Sequence, residues 1–106
     1  MKIYGLSYEA YEQYKLVVKG NETTTYELAK LKLNRNIMLG YKAKDDGVIQ
    51  CFKYGRLKID VAFDEIIGVS NHGRKSRKWE LDQCKYEKLN HELGIVNLEE
   101  KQLMPV

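Results

Sequence analysis

Between Leu57 and Phe63 the chain reads Leu57-Lys58-Ile59-Asp60-Val61-Ala62-Phe63, so that Leu57, Ile59, Val61 and Phe63 fall on one side and charged or small residues on the other. A repeat of two is the signature of an antiparallel strand with one buried face, and it demands partners on both sides and a covering layer. The neighbouring segments supply them. Val48 to Tyr54 alternates before Gly55, and Asp45-Asp46-Gly47 is a turn signal behind Tyr41 to Ala43. Ile37 and Leu39 extend that face backwards in the same period. Downstream, Ile66-Ile67-Gly68-Val69 gives a short apolar strand. Three or four strands are therefore expected as an antiparallel meander.

The period changes to that of a helix on either side. Ser7 is an N-cap for a helix over 8–19, with Ala10, Tyr11, Tyr14, Val17 and Val18 on one stripe and Gly20 as the stop. Thr24 and Glu27 have capping-box spacing before Leu28, Ala29, Leu31 and Leu33, which predicts a second helix to about Asn34. Trp79, Tyr86, Leu89 and Leu93 predict a third over 77–93, ended by Gly94 and able to cover the sheet. The order of two helices, strands and helix gives an α+β fold, with a C-terminal helix packed on the sheet. No linker or repeat divides residues 1–106, so one domain is expected, with 94–106 as a loosely docked tail in which Asn97 caps a short helix.

Charge and cysteines narrow the function classes. Lys and Arg number 18 against 15 Asp and Glu, and the excess of three resolves into 3 and 2 over 1–20, 8 and 5 over 21–63, and 7 and 8 over 64–106. So small an excess says little about nucleic acid; only a local patch speaks to it. No apolar run reaches the length of a membrane span, and the first residues lack the pattern of a secretory signal, so a cytoplasmic protein without membrane contact is expected. Cys51 and Cys84 stand alone, with no Cys-x-x-Cys pair and no histidine at ligand spacing. They read as reduced, mostly buried thiols, and neither a metal nor a cofactor is called for.

The densest cluster of cations is Arg74-Lys75-Ser76-Arg77-Lys78, preceded by Ser70-Asn71-His72-Gly73. A loop of this kind suits an anion, the more so if a helix begins near Ser76 and turns its free amides toward it. A solvated basic loop has the same composition. On the middle strands Phe52, Lys53, Tyr54 and Arg56 interleave rings and cations opposite Tyr41 and Lys42, as single-strand platforms do. Alternation places Phe52 and Tyr54 on one face, where packing under a helix competes with stacking on bases. Tyr4, Tyr8, Tyr11 and Tyr14 form a third group, in which Tyr11 and Tyr14 fit the buried stripe and Tyr8 falls off it.

Catalytic templates are missing: no Gly-x-Ser-x-Gly, phosphate loop, His-Glu-x-x-His or dinucleotide fingerprint occurs. His91 near the end of the third helix suits the dipole there. His72, beside Arg74, Lys75 and Arg77, is the one histidine with a catalytic case, as general acid or base on an RNA phosphodiester. The order of elements over 7–70, with Tyr54-Gly55-Arg56-Leu57-Lys58-Ile59 as a Gly-containing strand turn, resembles the small RelE-like ribonuclease toxins. That resemblance implies a ribonuclease using His72. The Lys-, Asn- and Tyr-rich composition is similar to accessory proteins of phages infecting low-GC bacteria, many of which inhibit by binding.

The leading expectation is a non-enzymatic binding or inhibitor protein, a phage or mobile-element accessory. It would dock through Tyr54, Arg56, His72, Arg74, Lys75, Arg77 and Lys78, on a protein first and on RNA or DNA through the basic loop second. The alternative is the ribonuclease. A homodimer through an uncovered strand edge is a further expectation.

Overall fold

The computed structural model describes residues 2–71 and 79–103. Five strands and four helices follow in the order β1 (Gly5–Leu6), α1 (Tyr8–Val17), α2 (Tyr26–Leu39), β2 (Tyr41–Asp45), β3 (Ile49–Tyr54), β4 (Leu57–Ala62), β5 (Glu65–Asn71), α3 (Gln83–Glu92) and α4 (Ile95–Leu103). The class is α+β, and the meander is the four strands β2 to β5. A fifth strand, β1, joins β5 in parallel, giving the order β1-β5-β4-β3-β2. Two residues are too few to show a period in sequence. Gly5 and Ser7 donate to the Asp64 and Ile66 carbonyls at 2.9 Å each, and Ser7 then caps α1 through its Oγ. One short segment thus seats the helix on the sheet.

The period-two strand packs as its sequence requires up to Ala62, whereas Phe63, expected on the buried face, lies in the following turn and is exposed. Leu57, Ile59 and Val61 are buried on β4, and they meet Phe52, Ile66 and Val69 of the flanking strands and Ala10, Tyr14, Ala29, Leu33 and Ile37 of α1 and α2. Burial of this set, at roughly 25 cal/mol per Å² of apolar surface, is the main term holding the layers together. Gln13 of α1 accepts the Val69 N–H at 2.8 Å and so occupies a donor on the β5 edge. The opposite edge, β2, carries Lys42, Lys44 and Asp45 and a register shift between Lys42 and Lys44. Charges and bulges on an edge discourage pairing with another chain.

The second helix runs five residues beyond its expected end at Asn34, so Ile37 and Leu39 are helical rather than the start of a strand. Asn34 does not stop the helix because its side chain is satisfied from elsewhere. Its Nδ2 donates to the Lys30 and Tyr4 carbonyls at 2.8 and 3.0 Å, and its Oδ1 accepts the Tyr4 N–H at 2.7 Å. The cap is Thr25, whose Oγ1 accepts from Leu28 N, while Thr24 is buried. At the other end Gly40 abuts β3 so closely that a Cβ there would collide with the Lys53 carbonyl. The helix therefore turns directly into β2.

The third helix is shorter than the spacing predicts. It starts at Gln83, where Asp82 caps it by accepting from Lys85 N at 3.1 Å, and it lies chiefly against α2 and α4 rather than on the sheet. Helices α1 and α2 already occupy that sheet face. The helix expected to begin near Ser76 has its described start at Gln83, and Ser76 itself lies outside the described residues. Helix α4 begins at Ile95, which is fully buried, directly after Gly94. Among the described residues no helix is long and apolar enough to cross a membrane.

Candidate functional site

Tyr54 ends β3, and Gly55 and Arg56 turn the chain into β4. Gly55 takes φ 59 and Arg56 does not share the positive region, the pattern of a two-residue hairpin with glycine first. The turn leaves Arg56 exposed at the lip of a cleft and Tyr54 half-buried in its wall. The cleft has a volume of about 920 Å³. Trp79 stands beside Tyr54, ring edge to face with centroids 5.2 Å apart, and donates its indole N–H to the Leu39 carbonyl at 2.9 Å. That contact explains why Trp79 lies outside α3. It serves the C-terminal carbonyls of α2 instead, as does Lys85 Nζ on the Met38 carbonyl at 3.3 Å.

The floor comes from α2 and α1. Arg35 and Asn36 are buried at 7% and 4% exposure, and Tyr14 at 2%. The Asn36 Oδ1 accepts from Arg35 Nε and Nη2 at 3.1 and 3.0 Å, Asn90 Oδ1 accepts from Nη1 at 2.9 Å, and the guanidinium lies 4.5 Å from the Tyr86 ring centroid. Burial pushes the Tyr14 hydroxyl up to about 12 against the lowering effect of Arg35, and burial raises Tyr54 in the same way. The described lining includes the cations Lys19, Lys32, Arg35 and Arg56 against one carboxylate, Glu99. Such a cleft can take an anionic group beside a ring or an apolar side chain.

The expected residues divide accordingly. Tyr54 and Arg56 share the cleft. His72, Arg74, Lys75, Arg77 and Lys78 lie outside the described residues, although Asn71 and Trp79, which flank them, both line it. Phe52 belongs to the core at 8% exposure, so it cannot serve as a stacking platform with Tyr41 and Lys42. Among the N-terminal tyrosines Tyr8 is 71% exposed, and Tyr11 is held between Tyr8 and Tyr26 while donating to the Thr24 carbonyl at 2.6 Å. Cys51 is buried, and burial raises its thiol. Cys84, expected inside, is exposed on α3, because that helix presents only Leu89 fully to the interior. His91 is in the last turn of α3. Among the described residues no three His, Cys, Asp or Glu side chains gather as a metal site would require.

Residues 4–92 match the YorE family. The chain belongs to that family. A relative from Bacillus subtilis (strain 168), described as an SPbeta prophage-derived uncharacterized protein YorE, is 30% identical over 104 residues, covering 90% of this chain and 85% of that protein. No solved structure matches. The span matched by the YorE family contains every named cleft residue except Glu99.

Sequence reasoning misses Arg35, Asn36 and Tyr86 as site residues. The one available signal is the run Asn34-Arg35-Asn36 between Leu33 and Ile37, three polar residues inside an apolar helix. Such a run is buried only when its hydrogen bonds are made elsewhere in the fold.

Proposed function

We propose that this YorE-family protein is a small non-enzymatic binding protein, a phage accessory, that docks on a macromolecular partner through the cleft around Tyr54 and Arg56. The observation that carries the reading is the lining itself, with rings of Tyr54, Trp79 and Tyr86 among four cations and one acid. Aromatic and arginine side chains in a partly desolvated pocket are the usual anchors of protein contacts. The prophage description of the relative supports the phage setting. Arg74, Lys75, Arg77 and Lys78 follow Asn71 in the chain and are included in the proposed binding set on their sequence alone, and a protein is the partner proposed first.

Affinity capture from the host, with and without nuclease, tests this. The double variant Tyr54→Ala, Arg56→Ala should weaken capture about tenfold or more, as loss of two anchors does. Changing Arg74, Lys75, Arg77 and Lys78 together should also weaken it, and His72→Ala should not. Capture that survives both sets of changes refutes the assignment. Capture that vanishes with nuclease and falls steeply with salt marks a nucleic acid instead. The ribonuclease alternative uses His72 as general acid or base with the neighbouring cations Arg74, Lys75 and Arg77, and cleavage of RNA lost in His72→Ala would establish it.

A further inference from the structure

Arg35 is the one charged side chain among the described residues that is buried, and no described carboxylate lies within 4 Å of its guanidinium. A buried cation without a counter-charge is costly, by several kcal/mol after relaxation. Hydrogen bonds offset part of that cost. A guanidinium has five N–H donors. Asn36 takes one from Nε and one from Nη2, and Asn90 takes one from Nη1. Two donors remain, one on each terminal nitrogen. The neutral asparagines supply acceptors but no negative charge, and the 7% of Arg35 still exposed belongs to a side chain that lines the cleft.

We propose that the cleft receives a carboxylate-bearing segment of a protein partner, its carboxylate pairing with the two unspent N–H groups of Arg35 and an adjacent apolar or aromatic side chain lying against Tyr54 and Trp79. The inference rests on the binding function above and names the chemistry of its partner. A carboxylate matches in both charge and number: one negative charge for one buried positive charge, and two oxygens for two N–H groups. Lys19, Lys32 and Arg56 favour the approach of an acidic segment, since Glu99 is the one acid among the described lining residues. A strand of nucleic acid fits less well. Its phosphodiester carries a sugar on each side and fits poorly against a residue as buried as Arg35, whereas a carboxylate ends a side chain or a peptide. A terminal phosphate brings nearly two charges to one guanidinium.

Trp79 is the sole tryptophan, so its fluorescence reports the cleft. The protein is titrated with a blocked hexapeptide holding one glutamate beside one phenylalanine, with its glutamine counterpart, and with the glutamine peptide bearing a free C-terminal carboxylate. Uridine monophosphate and a short oligothymidylate serve as phosphate probes. The glutamate peptide should give a saturable fluorescence change and shift the Arg35 Nε–H resonance, and the blocked glutamine peptide should bind about tenfold more weakly or worse. Response to the free C-terminus but not to the glutamate assigns the carboxylate to a chain end, still within the proposal.

Asn36→Asp places a carboxylate where an oxygen already lies 3.0 Å from the guanidinium, so it should keep the fold and lower peptide affinity about tenfold by occupying the charge. Should that variant unfold, the peptide pair and the Arg35 resonance of the unaltered protein decide. The proposal is overturned by a blocked glutamine peptide that binds as tightly as both carboxylate peptides, by no saturable response to either carboxylate at millimolar concentration, by an unmoved Arg35 resonance at saturation, by undiminished binding to folded Asn36→Asp, or by tighter binding of a phosphate probe. If any of these holds while capture still depends on Tyr54 and Arg56, the binding function stands and this inference alone falls.

Discussion

The guanidinium of Arg35 lies 4.5 Å from the centre of the Tyr86 ring, so α2 and α3 meet at the cleft through a cation on an aromatic face. The asparagines on either side hold the guanidinium in place, Asn36 on its own helix and Asn90 on α3. Tyr86→Leu removes the ring and should lower unfolding free energy by about 1–2 kcal/mol, the range for a partly desolvated cation on a ring plus lost packing. Tyr86→Phe keeps the face and should stay within about 0.5 kcal/mol. Urea unfolding of both variants checks this; equal losses would mean that the ring face does not matter.

Gly40 and Lys53 set the distance between α2 and β3. A Cβ at Gly40 would run into the Lys53 carbonyl, which is backbone within the sheet and cannot rotate away. Gly40→Ala should therefore cost about 2–3 kcal/mol, at the upper end for overpacking. Gly47→Ala has open space around it and a φ of 92, so it should cost only about 1 kcal/mol, the ordinary penalty for a left-handed alanine. Thermal and urea unfolding of the pair measure the difference, and similar losses would contradict the close approach.

The meander was legible because Leu57 to Ala62 keeps a strict period of two, and its partners carry turn residues between them. The run from Leu33 to Leu39 was not. Ile37 and Leu39 alternate with Tyr41 and Ala43, whereas the bonds of Asn34 to the Tyr4 backbone and the burial of Ile37 and Leu39 support the helix past an asparagine. Propensity yields to such contacts. The start of α3 is hidden in the sequence because Trp79 falls at helical spacing from Tyr86, whereas Asp82 takes the capping position and Trp79 bonds to the end of α2. Tyr54 and Arg56 could be found from ring and charge together. Arg35 gives only the weaker signal of the polar run between Leu33 and Ile37, since one arginine on a helix looks solvent-facing until the neighbouring helices are in place.

Phe63 and Asp64 join β4 to β5 as a two-residue turn with φ of 52 and 61, values that non-glycine side chains adopt at a cost. Phe63 is 88% exposed, so burial gives it little in return. The double variant Phe63→Asn, Asp64→Gly installs the asparagine and glycine that such a turn prefers. The Lys2 to Asp64 ion pair at 2.7 Å is lost, but at 61% and 72% side-chain exposure it contributes little. Stability should rise by about 1 kcal/mol and the melting temperature by roughly 4–8 °C. Calorimetry tests this, and an unchanged or lowered midpoint would count against a strained turn.

Tyr14 gives the fold a dependence on alkaline pH. Burial pushes its hydroxyl from 10.0 up to about 12, so between those values the unfolded chain has released a proton that the folded chain still holds. The native state is favoured by neutral Tyr14; this contribution is complete below pH 10 and is lost as pH rises toward 12. Within the window stability should fall by about 1.4 kcal/mol per pH unit for this one group. Tyr54, raised by burial as well, adds to the fall in the same direction. Urea unfolding followed between about pH 9 and about 11 gives the slope. In Tyr14→Phe the ring remains while the titrating hydroxyl and its 3.3 Å bond to Asn21 Oδ1 are gone, so the slope should flatten even though the starting stability is lower. A variant with the same alkaline slope as the unaltered chain would place the titrating group elsewhere.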